Sequence, residues 1–182
     1  MTHSDEQHGE HTIADDRVSP PHLGTERETL RAFLDHHRAT LAMKCAGLSD
    51  DELRRQSTAP SALSLLGLVR HLAEVERAWF RRVFEENDAP MLWSPPGVID
   101  FQAAYDASAS TRSEAFTAWE AEVENSRRVE RAAESLDLTG RQPRWDEDVS
   151  LRMAMVHVLL EYGRHSGHAD LLREGIDGSV GA

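Results

Sequence analysis

Between Ser150 and Glu174 the apolar residues recur at the spacing of one long helix, yet His157, Glu161, His165 and His168 share a single face of it. At about 100° per residue the four fall at roughly 0°, 40°, 80° and 20°. Met153, Ala154, Leu160, Leu171 and Leu172 flank that face, so the spacing predicts polar groups where a helical bundle normally buries hydrocarbon. An ionised carboxylate in such a place needs compensation, and a proton, a cationic partner or a metal ion supplies it. The chain is therefore expected to surround this helix with others that bring the partner.

Its 182 residues, 40% of them hydrophobic, suffice for one domain with a real core. Lys and Arg total 20 against 32 Asp and Glu, a net charge of −12 that repels phosphate backbones, so nucleic-acid binding is excluded as an expectation. The single cysteine, Cys45, cannot form an internal disulfide and sits in an amphipathic run, where a buried small hydrophobe is expected. No apolar run approaches the ~20 residues that span a bilayer, and the first residues lack the order of a signal peptide. A cytoplasmic protein with no membrane partner is expected.

Residues 1–21 are polar and acidic, end in Ser19-Pro20-Pro21, and read as a disordered tail, leaving 22–182 as the folded domain. Thr25 begins a first helix predicted from Glu26 to Gly47, and Ser49-Asp50-Asp51-Glu52 caps a short turn. The second helix is predicted from Ser64 to Glu86 on the spacing of Leu65, Leu68, Leu72, Val75, Trp79 and Val83. Residues 87–107 exceed what a bundle connection needs, so they either cross the bundle or cover a site with Trp93 and Phe101. Thr111 with Glu114 begins a third helix ending near Ala133. A second linker follows, in which Asp146-Glu147-Asp148 read as N-terminal signals for the fourth helix, which should stop at Gly175. Strand signals are almost absent, and the fold class expected is all-α, a four-helix bundle.

Glu161 and His165 are i and i+4, which lets both reach one ion. His71 is the best third candidate, an inward-leaning histidine on the strongly apolar second helix. It lies seven residues from that helix's predicted start, about 10 Å, and His165 lies nine from the fourth helix's predicted end, about 14 Å. Antiparallel packing would bring the two level. Two imidazoles and a carboxylate would hold a divalent metal and leave positions for substrate, as catalytic zinc sites do, and the set also admits Ni, Mn, Co or Fe(II). A hydrogen-bonded Glu–His pair without an ion fits the same spacing.

The segments Leu68-Val69-Arg70-His71-Leu72-Ala73-Glu74-Val75-Glu76-Arg77-Ala78-Trp79-Phe80 and Glu161-Tyr162-Gly163-Arg164-His165-Ser166-Gly167-His168-Ala169-Asp170-Leu171-Leu172-Arg173-Glu174 together resemble the DinB-like superfamily of four-helix metalloproteins, over nearly all of residues 25–178. Such proteins carry a His on the second helix and commonly a His-x-x-x-His pair on the fourth. Glu161 at the first position of that pair is similar to the mycothiol-dependent maleylpyruvate isomerase branch, where a His, Glu, His set holds zinc. The resemblance implies metal ligation by His71, Glu161 and His165, an up-down-down-up bundle with a long crossover between helices 2 and 3, and a homodimer. The isomerase branch has a further C-terminal domain, and this sequence ends soon after its fourth helix. The expectation narrows accordingly to activation of a small-molecule thiol, mycothiol, toward an electrophilic substrate. His168 stands where a Gln is often found and His157 maps onto no ligand, so both are expected to support the ligands rather than bind. The alternative is a non-catalytic dimeric bundle of a stress response that binds a metal or small ligand.

Overall fold

Thr25 starts the first helix by a reciprocal cap: its hydroxyl accepts the Glu28 amide, while its own N–H donates to the Glu28 carboxylate at 2.8 Å. The helix α1 runs Glu26–Cys45. Ser49 with Glu52 repeats the device for α2, Asp50–Arg54, and Thr111 with Glu114 for α5, Arg112–Ala132. Between them lie α3, Leu65–Glu76, and the three-residue α4, Arg82–Phe84. The last helix, α6, is Leu151–Asp177. The computed structural model describes residues 15, 17–86 and 88–180. The tail expected over residues 1–21 lies outside them except for Asp15 and residues 17–21, where Arg17 donates to Asp15 and, at 3.1 Å, to Thr40 of α1.

The chain is mostly helical, but it is not purely so. The second linker, in which no strand is expected, forms a two-stranded antiparallel sheet, β1 at Thr139–Gln142 and β2 at Glu147–Ser150, with Gly140 opposite Val149. Asp146-Glu147-Asp148 therefore belong to a hairpin, where Asp146 turns the chain at φ 54°, and the helix cap falls to Ser150, whose hydroxyl accepts the Met153 amide. The hairpin escaped the sequence reading because only Gln142 and Val149 of its eight strand residues are buried.

Two helix readings also change. The second helix is α-helical only to Glu76, after which Arg77–Arg81 form a π-helical turn. That wider turn brings Arg77 and Arg81 to one carboxylate, Glu122 of α5, at 2.5 and 3.0 Å, while Ala78, Trp79 and Phe80 stay buried. The last helix passes Gly175 and ends at Gly178, whose left-handed φ of 79° closes it. Gly175 is instead a close approach, where a Cβ would lie 2.9 Å from the Ser57 carbonyl oxygen.

The core is the inner face of α3, on which Leu65, Leu68, Leu72 and Ala73 lose all contact with water, packed with Leu41, Trp119, Met155, Val158 and Tyr162. At roughly 1.5–3 kcal/mol per fully buried large side chain, this face dominates the packing. Polar links inside it fix how the helices are turned. Glu76 accepts both arms of the Arg38 guanidinium at 2.8 and 3.0 Å and the Tyr162 hydroxyl at 3.0 Å, and Tyr162 accepts the Trp119 indole N–H at 2.7 Å. One network thus joins α1, α3, α5 and α6, and through Tyr162 it sets the rotation of α6 next to Glu161.

Candidate metal centre

His71 projects from the middle of α3, and Glu161 and His165 from successive turns of α6. The structure brings these three together: one donor atom from each lies within 4.8 Å of the other two. Glu161 Oε2 is 3.4 Å from His165 Nε2 and 3.7 Å from His71 Nε2. Donors bound at about 2.1 Å around a tetrahedral ion stand about 3.4 Å apart, so the triangle is close to the size an ion requires. The strongest sign is His71. It is 8% exposed, both its ring nitrogens are buried, and neither is within hydrogen-bond distance of a partner, the Glu161 carboxylate approaching Nε2 only to the looser 3.7 Å of an ion pair. A buried imidazole left unsatisfied costs about 1–3 kcal/mol, which a bound ion would remove. The donor set therefore fits a divalent metal.

The two imidazoles, His165 first and His71 second, hold the Glu161 carboxyl far below the ordinary carboxylate range against the opposing effect of burial. It is a carboxylate at any physiological pH. Its other oxygen, Oε1, is 3.7 Å from His157 Nε2 and 3.9 Å from the Arg164 guanidinium. His157 lies against the Trp79 ring with centroids 4.0 Å apart, and burial lowers its pKa against the opposing pull of the Glu161 charge. His168 Nδ1 is 3.2 Å from His165 Nδ1, with burial again favouring the neutral ring. Both histidines thus touch the cluster from outside the triangle. Of the residues expected to flank the polar face, Ala154 and Leu172 are buried, whereas Met153, Leu160 and Leu171 are exposed at 41, 65 and 57%. The correction is simple: α6 is apolar on more than one side, and its helical spacing does not tell which side meets the core.

The cluster forms the floor of a cleft of about 1250 Å³. Trp79, Met91, Phe101, Tyr105 and Trp145 line it. The long connection from α4 to α5 is one wall, and buried charges on the π-turn side of α3 pin it there. Glu74, 0% exposed and pushed up in pKa by burial, accepts the Leu92 amide at 2.7 Å and pairs with Arg82, which donates to Ala89 O. Phe101 reaches the cleft as expected, but Trp93 anchors the wall instead: its indole N–H donates to Arg70 O at 2.9 Å beneath the Arg70 guanidinium. The β1–β2 hairpin supplies the facing edge through Gln142, Arg144 and Trp145. Sequence reasoning missed Tyr105 and the hairpin edge. Trp145, a large aromatic in a polar linker, was the signal that could have pointed to the latter.

Fold and site together define a helical protein with an open His, Glu, His cluster able to hold a divalent metal. A family model described as mycothiol-S-transferase matches residues 29–178, and the chain belongs to that family. No curated protein matches it. Among the described residues no helix is long and apolar enough to cross a membrane.

Proposed function

We propose that this protein is a metal-dependent S-transferase that joins the sulfur of mycothiol to a small electrophile. The observation that carries the reading is the buried His71, whose ring nitrogens make no hydrogen bond, beside Glu161 and His165 at the floor of an open cleft, in a chain of the mycothiol-S-transferase family. His71, Glu161 and His165 would hold the ion, zinc by preference, although two nitrogens and one oxygen also suit Ni, Mn, Co or Fe. A bound ion would supply Lewis acidity that lowers the pKa of a thiol sulfur near it.

The chain's own residues do the rest. Glu161 stays charged and offers Oε2 to the centre, and His168 orients the His165 ring. Phe101, Trp145 and Trp79 present apolar walls beside the reacting groups. The cleft exceeds the roughly 300–1,000 Å³ of ordinary small-molecule sites, room for a thiol cofactor and a second reactant together. In the transfer the sulfur forms a bond to the electrophilic carbon, the thiol proton goes to solvent, and the displaced group leaves with its electron pair. Cys45 cannot serve as the sulfur source, because it is wholly buried.

The reading includes a helix order of up-down-down-up, with residues 22–182 as the domain. Contacts in the same direction between α1 and α6 (Glu26 with Arg152, Lys44 with Asp170) and opposite contacts between α6 and α3 with its π-helical continuation (His71 with Glu161, Trp79 with His157) support it. It also includes a cytoplasmic homodimer, for which the exposed Met153, Leu160 and Leu171 offer apolar surface on α6.

The test is turnover of electrophilic substrates by metal-loaded protein with and without mycothiol, bacillithiol and glutathione. Mycothiol-dependent turnover that His165→Ala abolishes supports the reading. Thiol-independent hydrolysis replaces it with direct hydrolysis, and metal binding with no turnover moves it to the non-catalytic alternative.

A further inference from the structure

Tyr105 stands against two of the three donors. Its ring stacks on His71 with centroids 4.5 Å apart and planes 17° from parallel, and its hydroxyl is 3.5 Å from His165 Nε2. Glu161 Oε2 is 3.4 Å from the same nitrogen. The phenol oxygen therefore lies about as far from His165 as a fellow donor does, on the side open to the cleft.

The backbone that carries it is fixed to α3, the helix that carries His71. Arg70 donates to Asp106 O and, at 3.5 Å, to Ala103 O, gripping the chain on both sides of Tyr105. One turn before His71, Gly67 lets the two backbones touch: a Cβ there would lie 2.7 Å from the Tyr105 carbonyl oxygen and 3.3 Å from its Cα. Tyr105 and His71 are thus placed in one frame.

A half-buried phenol needs a hydrogen-bond partner, and His165 Nε2, 3.5 Å away, accepts from it when His165 carries its proton on Nδ1. An ion held by His165 would take that same lone pair. The hydroxyl would then turn to whatever ligand lies beside the three donors. We propose, resting on the thiol-transfer reading above, that the Tyr105 hydroxyl donates the hydrogen bond that holds the thiol sulfur at this site. It keeps its proton throughout, and its task is to orient the sulfur toward the cleft.

The experiment uses the full chain loaded with Co(II), titrated with mycothiol while sulfur-to-cobalt charge-transfer absorption and cobalt stoichiometry are read. Tyr105→Phe keeps the ring on His71 and removes only the hydroxyl. It should hold cobalt as the wild type does and bind mycothiol about ten- to hundredfold more weakly, the effect of losing one hydrogen bond to a charged group. Gly67→Ala, which displaces the turn while leaving the hydroxyl present, should weaken mycothiol in the same direction. Unchanged mycothiol affinity in Tyr105→Phe overturns the proposal alone. Loss of cobalt from that variant also overturns it, by making the phenol oxygen a metal ligand. A wild type that holds cobalt but never mycothiol overturns this proposal and the thiol reading together.

Discussion

His168 faces His165 through their Nδ1 atoms at 3.2 Å, so one ring must donate and the other accept. When His165 is the donor, its Nε2 lone pair is left free on the side where Glu161 lies. A partner of this kind typically changes metal affinity by 10- to 100-fold, roughly the effect expected for His168→Ala in competition with a chelator. His168→Gln, whose carbonyl can accept the same proton, should restore most of it. Equal affinity in all three proteins would show that His168 does not orient the ligand.

Cys45 is completely buried, and burial pushes its thiol up to about 12. Alkylation of the native protein by iodoacetamide at pH 7.5 should be slower by orders of magnitude than that of the urea-unfolded chain. Rapid native labelling would reopen the question of an internal nucleophile.

Burial lowers the pKa of His37, His157 and His168. Below about pH 6.5 the unfolded chain binds protons that these folded rings refuse. Their contribution is thus complete above that pH and is lost as pH falls through their folded values. Glu74, raised by burial, works in the opposite sense from the carboxylate range upward, but one carboxyl opposes three imidazoles. Thermal melts of chelator-treated protein should fall in Tm from pH 7.5 to 5.5. A flat or rising profile would contradict the burial of these rings.

Gly140 of β1 packs on the end of α4, where a Cβ would lie 2.3 Å from Val83 O and 2.8 Å from Val83 Cγ1. Gly140→Ala should destabilise the protein by about 1–3 kcal/mol, the usual cost of forcing extra volume into a packed contact. A urea-unfolding midpoint equal to the wild type's would show that the hairpin is loosely held.

What could be read in the sequence was local. The caps at Thr25, Ser49 and Thr111 depend on a partner three residues away, and all three form as read. Glu161 and His165 are neighbours by helical geometry, and His71 could be placed level with them by counting rise along two helices. What could not be read depends on distant chain. Tyr105 sits beside the donors on a turn that packs on Gly67 and Arg70, and no residue near Tyr105 signals that. The hairpin buries too few residues to show alternation, and the π-helical turn at Arg77–Arg81 is accompanied by a pairing to Glu122 on another helix, which no local pattern announces.

The central claim is that His71, Glu161 and His165 hold one divalent ion per chain. Its most direct test is elemental analysis of the full chain beside the triple variant His71→Ala, Glu161→Ala, His165→Ala, both dialysed from the same metal-containing buffer. Comparing the two cancels ions carried by histidines elsewhere, such as His3, His8 and His11. The account predicts a difference of about one ion per chain, as a single three-donor site requires. Equal metal content in the two proteins would contradict it and leave Glu161 and His165 as a hydrogen-bonded pair without an ion.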